Sequence, residues 1–161
     1  MKRILFVCLG NICRSPMAEF VLRRMLCDAG MDGGYFVDSA ATSGENVFRG
    51  VGASVYPPAM AILRRHGIDC SGKRARQITQ EDYAAYDLIV CMDDANVRGA
   101  VRVFGGDPKR KIVKLMDFTD RPGNVADPWY TGDFETAYRD IETGCRALLR
   151  HETEHKKNRQ T

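Results

Sequence analysis

The sequence has no long hydrophobic run, and this absence excludes several classes of protein. No stretch approaches the roughly 18–20 apolar residues that a membrane helix needs. The apolar run near the N-terminus, Ile4–Val7, is also shorter than the about 7–15 apolar residues of a signal peptide. We therefore expect a cytoplasmic protein that does not act at a membrane.

A strong excess of one charge is absent as well. Lys and Arg total 24 and Asp and Glu total 21, so the formal net charge is +3 at pH 7, and the basic residues are scattered along the chain. This balance does not favour nucleic acid as a partner and indicates only a mild attraction to anions. The histidines His66, His151 and His155 show no ligand spacing with the cysteines. We expect no metal site and no cofactor.

The length and composition of the chain fit one globular domain. Hydrophobic residues make up 44% of the 161 residues and charged residues 28%, close to the average for soluble domains. We assign residues 1–150 to a single domain and expect the polar tail 151–161 to fray. The 6 cysteines are spread through a chain with ample core, which favours free thiols in a reducing compartment over a disulfide framework.

Strand and helix patterns alternate along the chain. Short apolar runs predict strands, and apolar residues at three- and four-residue steps predict helices. The predicted strands cover residues 3–8, 36–40, 87–92 and 111–115, the helices cover 15–30, 57–66, 94–104 and 134–148, and loops cover 43–56 and 117–132. This order predicts a three-layer α/β fold with a four-stranded parallel sheet flanked by helices, in which ligands bind at the carboxyl ends of the strands.

The segment 8–15, Cys-Leu-Gly-Asn-Ile-Cys-Arg-Ser, connects the first predicted strand to the first predicted helix. A loop at this place turns backbone N–H groups inward beside the positive N-terminus of a helix, and this combination binds phosphate. Gly10 and Asn11 tolerate the positive φ angles that such a tight loop needs. We therefore predict a phosphate-binding loop between the first strand and the first helix.

Three side chains of this loop suit attack on phosphorus. The N–H groups, the helix dipole and Arg14 would favour a thiolate at Cys8, which makes it a nucleophile. Arg14 can hold two phosphate oxygens with its planar guanidinium, and Ser15 can donate its hydroxyl to the sulfur. A cysteine at the end of a buried strand is often only a small core residue. The position between strand and helix, with Pro16 at the helix start, favours the functional interpretation.

The segment Val7–Pro16 resembles the phosphate-binding signature of the low-molecular-weight protein tyrosine phosphatases. The resemblance continues, in order, through nearly the whole chain. Its further segments are Asp38-Ser39-Ala40, His66-Gly67-Ile68-Asp69, Arg74-Ala75-Arg76-Gln77, Cys91-Met92-Asp93 and Asp127-Pro128-Trp129-Tyr130. The resemblance implies a four-stranded parallel sheet flanked by helices. It also implies hydrolysis of phosphotyrosine and small aryl phosphates through a phosphocysteine.

The resemblance implies roles for individual residues. It makes Cys8 the nucleophile, Arg14 the phosphate ligand and Asp127 the general acid and base. From the residues alone, a loop aspartate before a proline is more often a turn residue. Trp129 and Tyr130 would form an apolar wall for the phenyl ring of the substrate. The other residues that would bind substrate are Leu9, Gly10, Asn11, Ile12, Cys13 and Ser15.

Two supporting roles follow from the same resemblance. Asp93 is similar to the aspartate that braces the phosphate loop, and it can also cap the helix predicted at 94–104. Cys13 is similar to the second loop cysteine of the family, which is placed to trap an oxidised Cys8.

Two segments depart from the family pattern. Many members have an aromatic residue in the loop after the second strand, where this chain has Glu45-Asn46-Val47, and Phe48 and Tyr56 are candidates to replace it. Gly72-Lys73 stands where many members have a histidine before the Arg-Ala-Arg-Gln segment. Both departures concern the pocket rim and its supporting hydrogen bonds, so they affect the expected substrate preference more than the chemistry.

Three other functions stay open at this point. A protein arginine phosphatase of the same fold usually has threonine at the position of Ile12, and an arsenate reductase needs closely spaced cysteines, unlike Cys70 and Cys91. A phosphopeptide-binding module without turnover would not need the complete catalytic set. As partners we expect phosphotyrosine-containing proteins or peptides, with inorganic phosphate as a product inhibitor, and we expect a monomer or weak self-association.

Overall fold

The strands of the molecule form one parallel sheet and one small hairpin. The structure is a computed structural model and describes residues 1–160. Its strands are β1 (Lys2–Cys8), β2 (Tyr35–Ala41), β3 (Val47–Phe48), β4 (Val51–Gly52), β5 (Leu88–Cys91) and β6 (Ile112–Lys114). The parallel sheet has the order β2-β1-β5-β6, and β3 pairs with β4 in an antiparallel hairpin. The predicted four-stranded parallel sheet is confirmed.

Helices cover both faces of the sheet. They are α1 (Arg14–Asp28), α2 (Pro57–Arg65), α3 (Gln80–Ala85), α4 (Asp94–Phe104), α5 (Pro128–Thr131) and α6 (Phe134–Arg159). One hydrophobic cluster joins β1 to α1, α2 and α6, and a second joins the opposite face of β1 to β5 and α4. The fold therefore has the three layers expected from the alternation of strands and helices.

The central strand β1 is apolar along most of its length because both of its faces are covered. Ile4 and Phe6 point into the first cluster, whereas Leu5 and Val7 point into the second. Parallel pairing brings the carboxyl end of β1, at Cys8, to the same edge of the sheet as the ends of β2 and β5. Any ligand that binds at this edge meets residues that follow all three strands.

Three short elements lie where the sequence predicted only loops or no element. The β3–β4 hairpin lies inside the predicted loop 43–56, and its turn at Arg49 and Gly50 has φ angles of 49° and 77°. Helix α5 lies inside the predicted loop 117–132. Helix α3 begins with a capping box between Thr79 and Asp82. These elements are too short for a hydrophobic period to reveal them.

The prediction of a frayed tail from residue 151 is wrong for residues 151–159, which continue helix α6. The carboxylate of Glu152 is buried, and it accepts hydrogen bonds from Lys2 Nζ at 2.6 Å and from Tyr35 Oη at 3.3 Å. These partners are distant in sequence, so a polar tail gave no sign of them. Thr161 lies outside the described residues. Within residues 1–160, no helix combines the length and apolar character that crossing a bilayer requires.

Candidate active site

A pocket of about 350 Å³ opens at the carboxyl edge of the sheet, beside the end of β1. Its lining residues are Cys8, Leu9, Gly10, Asn11, Ile12, Cys13, Arg14, Glu45, Asn46, Asp127, Trp129 and Tyr130. The structure therefore brings together nearly all the residues that the sequence analysis assigned to the site. Two further assigned residues, Ser15 and Asp93, contact the lining side chains without lining the pocket themselves.

Four carbonyl oxygens of the phosphate loop, residues 8–15, accept hydrogen bonds from residues 42–56. Cys8 O accepts from Thr42 N at 2.9 Å, Leu9 O from Ser43 N at 3.0 Å, Gly10 O from Asn46 Nδ2 at 2.9 Å and Ile12 O from Tyr56 N at 2.8 Å. The C=O and N–H groups of one planar peptide unit point in opposite directions. Carbonyl groups that point outward therefore turn N–H groups toward the pocket, where they can bind an anion.

The Cys8 sulfur lies at the base of this loop and is almost completely buried. The backbone N–H of Asn11 donates to Sγ at 3.3 Å, and Ser15 Oγ lies 3.0 Å from the same atom. Asn11 has a φ of 56°, in the left-handed region that asparagine tolerates better than most residues. Helix α1 begins at Arg14, so its positive N-terminus faces the sulfur as well.

Arg14 is 2% exposed and is held by three oxygen atoms. Its Nη1 donates to Asp93 Oδ2 at 2.7 Å and to Val125 O at 2.8 Å, and its Nη2 donates to Asp127 Oδ2 at 3.3 Å. Burial by itself would lower the pKa of Arg14, but the negative charges of Cys8, Asp93 and Asp127 raise it above its usual value. The guanidinium is therefore a permanent cation in the pocket.

Asp93 contacts both Arg14 and the N-terminus of α4. Its Oδ2 binds Arg14, while its Oδ1 accepts from Asn96 N at 2.8 Å and caps helix α4. Because one oxygen caps α4 and the other binds Arg14, the position of the guanidinium is tied to the N-terminus of α4.

Asp127 likewise combines a structural contact with a place in the pocket. Its Oδ1 accepts from Trp129 N at 3.0 Å and caps the short helix α5, whereas its Oδ2 faces Arg14. The loop before it is tied to the sheet because Val125 N donates to Met92 O at 2.9 Å, just beyond β5. This hydrogen bond places the segment that leads to Asp127 at the carboxyl edge of the sheet.

The mouth of the pocket has an aromatic side. Trp129 and Tyr130 are 56% and 77% exposed, and the ring of Tyr56 lies 4.9 Å from that of Trp129. Tyr56, one of the two candidates to replace the family's loop aromatic, therefore packs against Trp129 without lining the pocket itself. Phe48 is exposed on the β3–β4 hairpin and does not line the pocket.

Glu45 and Asn46 line the pocket, although the sequence analysis treated them only as a departure from the family pattern. Asn46 Nδ2 donates to Gly10 O, and a Cβ at position 10 would lie 2.5 Å from that nitrogen. Glycine at position 10 thus allows the loop after β2 to close on the phosphate loop. The adjacent Glu45 places a carboxylate at the rim.

Comparison with known proteins decides the family. Residues 3–161 match the family described as low molecular weight phosphotyrosine protein phosphatase. The chain belongs to this family. It is 43% identical over 154 residues to the low molecular weight phosphotyrosine protein phosphatase of Sus scrofa, a match that covers 92% of this chain and 94% of the pig protein. This protein-tyrosine-phosphatase has the fold and the loop between β1 and α1 that the resemblance implied.

Two solved structures extend the comparison. YfkJ from Bacillus subtilis is similar with a TM-score of 0.91 and 37% identity, and the match covers 97% of each chain. DARP, a Drosophila arginine phosphatase, is similar with a TM-score of 0.81 and 29% identity, covering 94% of this chain and 98% of DARP. The phosphatase fold therefore extends over nearly the entire length of the chain.

The remaining thiols of the phosphatase differ in their surroundings. Cys13 lines the pocket, and burial, together with the charges of Cys8 and Asp127, raises the pKa of its thiol to about 12. Cys70 and Cys91 are buried, and neither lines the pocket. Burial also raises the pKa of both thiols.

Proposed function

We propose that this phosphatase hydrolyses phosphotyrosine in proteins and peptides through a phosphocysteine on Cys8, with Arg14 as phosphate ligand and Asp127 as general acid and base. The main support is the meeting of three groups in one pocket. The Cys8 sulfur lies inside a loop of inward N–H groups, and Arg14 and Asp127 contact each other beside it.

In the first step, the Cys8 thiolate attacks phosphorus. The S–P bond forms as the bond from phosphorus to the phenolic oxygen breaks, and Asp127 gives its proton to the leaving oxygen. The loop N–H groups and the Arg14 guanidinium stabilise the charge on the phosphoryl oxygens. Asp93 and Val125 O hold the guanidinium from behind. Its orientation is therefore set before substrate binds.

In the second step, a water molecule attacks the phosphocysteine. The Asp127 carboxylate takes a proton from this water, the S–P bond breaks, and Cys8 leaves as a thiolate. A hydroxyl proton from Ser15, whose Oγ lies 3.0 Å from the sulfur, stabilises that leaving group. Inorganic phosphate is released and competes with substrate for the same loop.

The exposed rings of Trp129 and Tyr130 support a flat aromatic substituent on the phosphate. Ile12, on the same pocket, offers an apolar contact and no hydrogen-bond acceptor for a guanidinium. A phenyl ring fits this combination better than a charged or a short aliphatic group. The cytoplasmic location expected from the sequence stays a prediction.

Phosphoarginine is the second candidate substrate, because one observation favours it. The Glu45 carboxylate lines the pocket and could accept hydrogen bonds from a guanidinium, a contact that the sequence analysis did not foresee. Similarity to DARP supports the same alternative. Ile12 argues against it.

Matched peptides that differ only in carrying phosphotyrosine, phosphoserine or phosphoarginine test the proposal. We expect kcat/KM to be at least about tenfold higher for phosphotyrosine than for the other two. If phosphoarginine is preferred, and Glu45→Gln removes that preference, the enzyme is an arginine phosphatase. Failure to turn over p-nitrophenyl phosphate would indicate a binding module, and thioredoxin-dependent turnover of arsenate would indicate a reductase.

A further inference from the structure

Asn124 lies three residues before Asp127 and joins the loop of the proposed general acid to two other elements. Its Oδ1 accepts from Asp94 N at 3.2 Å and from Lys114 Nζ at 3.1 Å, and its Nδ2 donates to Asp94 Oδ2 at 3.4 Å. Asp94 is the first residue of α4, and Lys114 is the last residue of β6. A side chain that does not line the pocket thus ties the loop to the start of a helix and to the carboxyl end of a strand.

The orientation of the Asn124 amide is fixed by its partners. A backbone N–H and an ammonium group can only donate, so the amide atom that faces both of them is the carbonyl oxygen. The N–H of Asp94 belongs to the first turn of α4, where backbone donors have no partner within the helix. Asn124 supplies an acceptor for this donor from outside the helix.

Lys114 couples Asn124 to Asp94. Its Nζ also contacts Asp94 Oδ1 at 2.9 Å, and its side chain is 17% exposed. Hydrogen bonds from Lys114 and Asn124 lower the pKa of Asp94, and the hydrogen bond with Asp94 raises the pKa of Lys114. The three side chains therefore form one connected cluster, in which each contact supports the other two.

Three consecutive residues, 92–94, hold both parts of the proposed catalytic pair. The carbonyl oxygen of the first accepts from Val125 N at 2.9 Å, the carboxylate of the second binds Arg14 at 2.7 Å, and the third binds Asn124. The phosphate ligand and the loop that carries Asp127 are therefore anchored to the same short segment, which sets their relative position.

The need for this anchor follows from the first chemical step. Asp127 must be protonated to donate to the leaving oxygen, and a neutral carboxyl is attracted by the Arg14 guanidinium less than a carboxylate is. Its other contact, with Trp129 N, joins neighbours within one loop and does not fix that loop relative to the sheet. While Asp127 carries its proton, placement of the loop therefore relies on the hydrogen bonds of Val125 and Asn124.

We propose that Asn124 is a positioning residue for Asp127: by binding the N-terminus of α4 and Lys114, its amide holds the loop where the protonated carboxyl reaches the leaving oxygen. This inference rests on the proposed role of Asp127 as the general acid. Without the amide, the loop stays attached through the backbone of Val125 but also adopts positions in which the proton is too far from the leaving oxygen. Arg14 keeps its contacts, so the binding of phosphate does not change.

Asn124→Ala removes these hydrogen bonds at an exposed position, so the variant should fold. We expect kcat/KM for phenyl phosphate to fall by about 3- to 30-fold, less than after loss of the acid itself, because Asp127 is still present. The loss should be smaller for p-nitrophenyl phosphate, whose more acidic leaving group needs the proton less. The inhibition constant of inorganic phosphate should stay the same. An unchanged kcat/KM, or an equal loss for both substrates, would overturn the proposal.

Two lysines at opposite ends of β6 provide a matched control. Lys111 Nζ donates to Tyr83 O at 2.6 Å and to Tyr86 O at 2.9 Å, and none of these residues lines the pocket. Lys114→Met should lower kcat/KM with the same dependence on the leaving group as Asn124→Ala. Lys111→Met should lower the melting temperature without altering that dependence. The same leaving-group dependence in both lysine variants would contradict the proposal.

A double-mutant cycle with Asp127→Ala tests whether Asn124 acts through the acid. Asn124→Ala should reduce kcat/KM no further in that background, because no carboxyl is left to position. Losses that multiply would show that Asn124 acts by another route and would refute the inference.

The single variant Asp127→Ala separates this inference from the proposed function. An unchanged kcat/KM in Asp127→Ala would refute the role of Asp127 as the general acid, and with it the basis of the inference. A large loss in Asp127→Ala together with an unaffected Asn124→Ala would refute the inference alone.

Discussion

Arg14 and Asp127 are 113 positions apart in the chain, and their side chains meet with Nη2 3.3 Å from Oδ2. Each is also fixed from its far side, Arg14 by Asp93 and Asp127 by the N–H of Trp129. The phosphate ligand and the proton donor proposed above therefore form one preorganised unit. A change at either residue is expected to disturb the other.

Cys8→Ser should abolish turnover while leaving the binding of phosphate or vanadate largely intact. The inward N–H groups and Arg14 supply most of the anion binding, whereas only the sulfur can form the covalent intermediate. Steady-state kinetics and calorimetric titration with phosphate measure the two effects. Cys27→Ser, which changes an exposed thiol, serves as the control. Residual activity within about tenfold of the wild type would rule out Cys8 as the nucleophile.

Asp127→Ala should lower kcat by about 10²- to 10⁴-fold, the range usual for the loss of a general acid. The loss should shrink for aryl phosphates with more acidic leaving groups, because these need the proton less. A series of substituted phenyl phosphates measures this dependence.

The control for Asp127→Ala has to reproduce the loss of a helix cap, which costs about 0.5–2 kcal/mol of stability. Asp133 caps α6 by accepting from Thr136 N at 3.0 Å, and it is exposed and does not line the pocket. Asp133→Ala should therefore lower stability and leave kcat nearly unchanged. An equal loss of kcat across the leaving-group series in Asp127→Ala would show that Asp127 is only structural.

Arg14→Lys should weaken phosphate inhibition and lower kcat, each by at least about tenfold. The substitution keeps the charge but loses the planar pair of donors, and each charge-assisted hydrogen bond contributes about 1.5–3 kcal/mol. Inhibition constants for phosphate and kcat for p-nitrophenyl phosphate give the measurement. Arg24→Lys, at an exposed arginine that donates to Gly67 O, is the matched control. Near-normal phosphate inhibition in Arg14→Lys would contradict the assigned role.

Peroxide should inactivate the enzyme reversibly through a disulfide between Cys8 and Cys13. Peroxide oxidises the Cys8 thiolate to a sulfenic acid, and the Cys13 thiol then displaces water to form the S–S bond. Because the pKa of Cys13 is raised to about 12, its thiol stays protonated at neutral pH, and Cys8 should be oxidised first. Mass spectrometry should find this link, and phosphate should slow its formation.

Cys13→Ser provides the decisive comparison for oxidation. The variant should keep most of its activity when reduced, yet dithiothreitol should no longer restore it after peroxide, since Cys8 proceeds to the sulfinic acid. Cys70→Ser, at a buried thiol outside the pocket, should behave as the wild type. Full recovery of Cys13→Ser under conditions that restore the wild type would remove Cys13 from any protective role.

The sequence predicted the site best where its residues are neighbours in the chain. Cys8, Arg14 and Ser15 belong to one loop, so local strand, turn and helix signals were enough to place them together. The role of Asp127 was predicted only from the family resemblance, because an aspartate before a proline indicates by itself no more than a turn. Glu45 and Asn46 were missed as pocket residues, since nothing near them in sequence shows that Asn46 reaches the Gly10 carbonyl.

The apolar run of β1, the alternation of strands with helices and the chemistry of residues 8–15 follow from the sequence by itself. Each depends on periodicity or spacing within a few turns of chain. Tertiary structure alone decided that Lys73 compensates Glu19 and that Lys2 holds Glu152 within α6. The two residues of each pair are far apart in the sequence. Their charges meet only after the sheet and its helices have packed together, so no local pattern predicts the pairs.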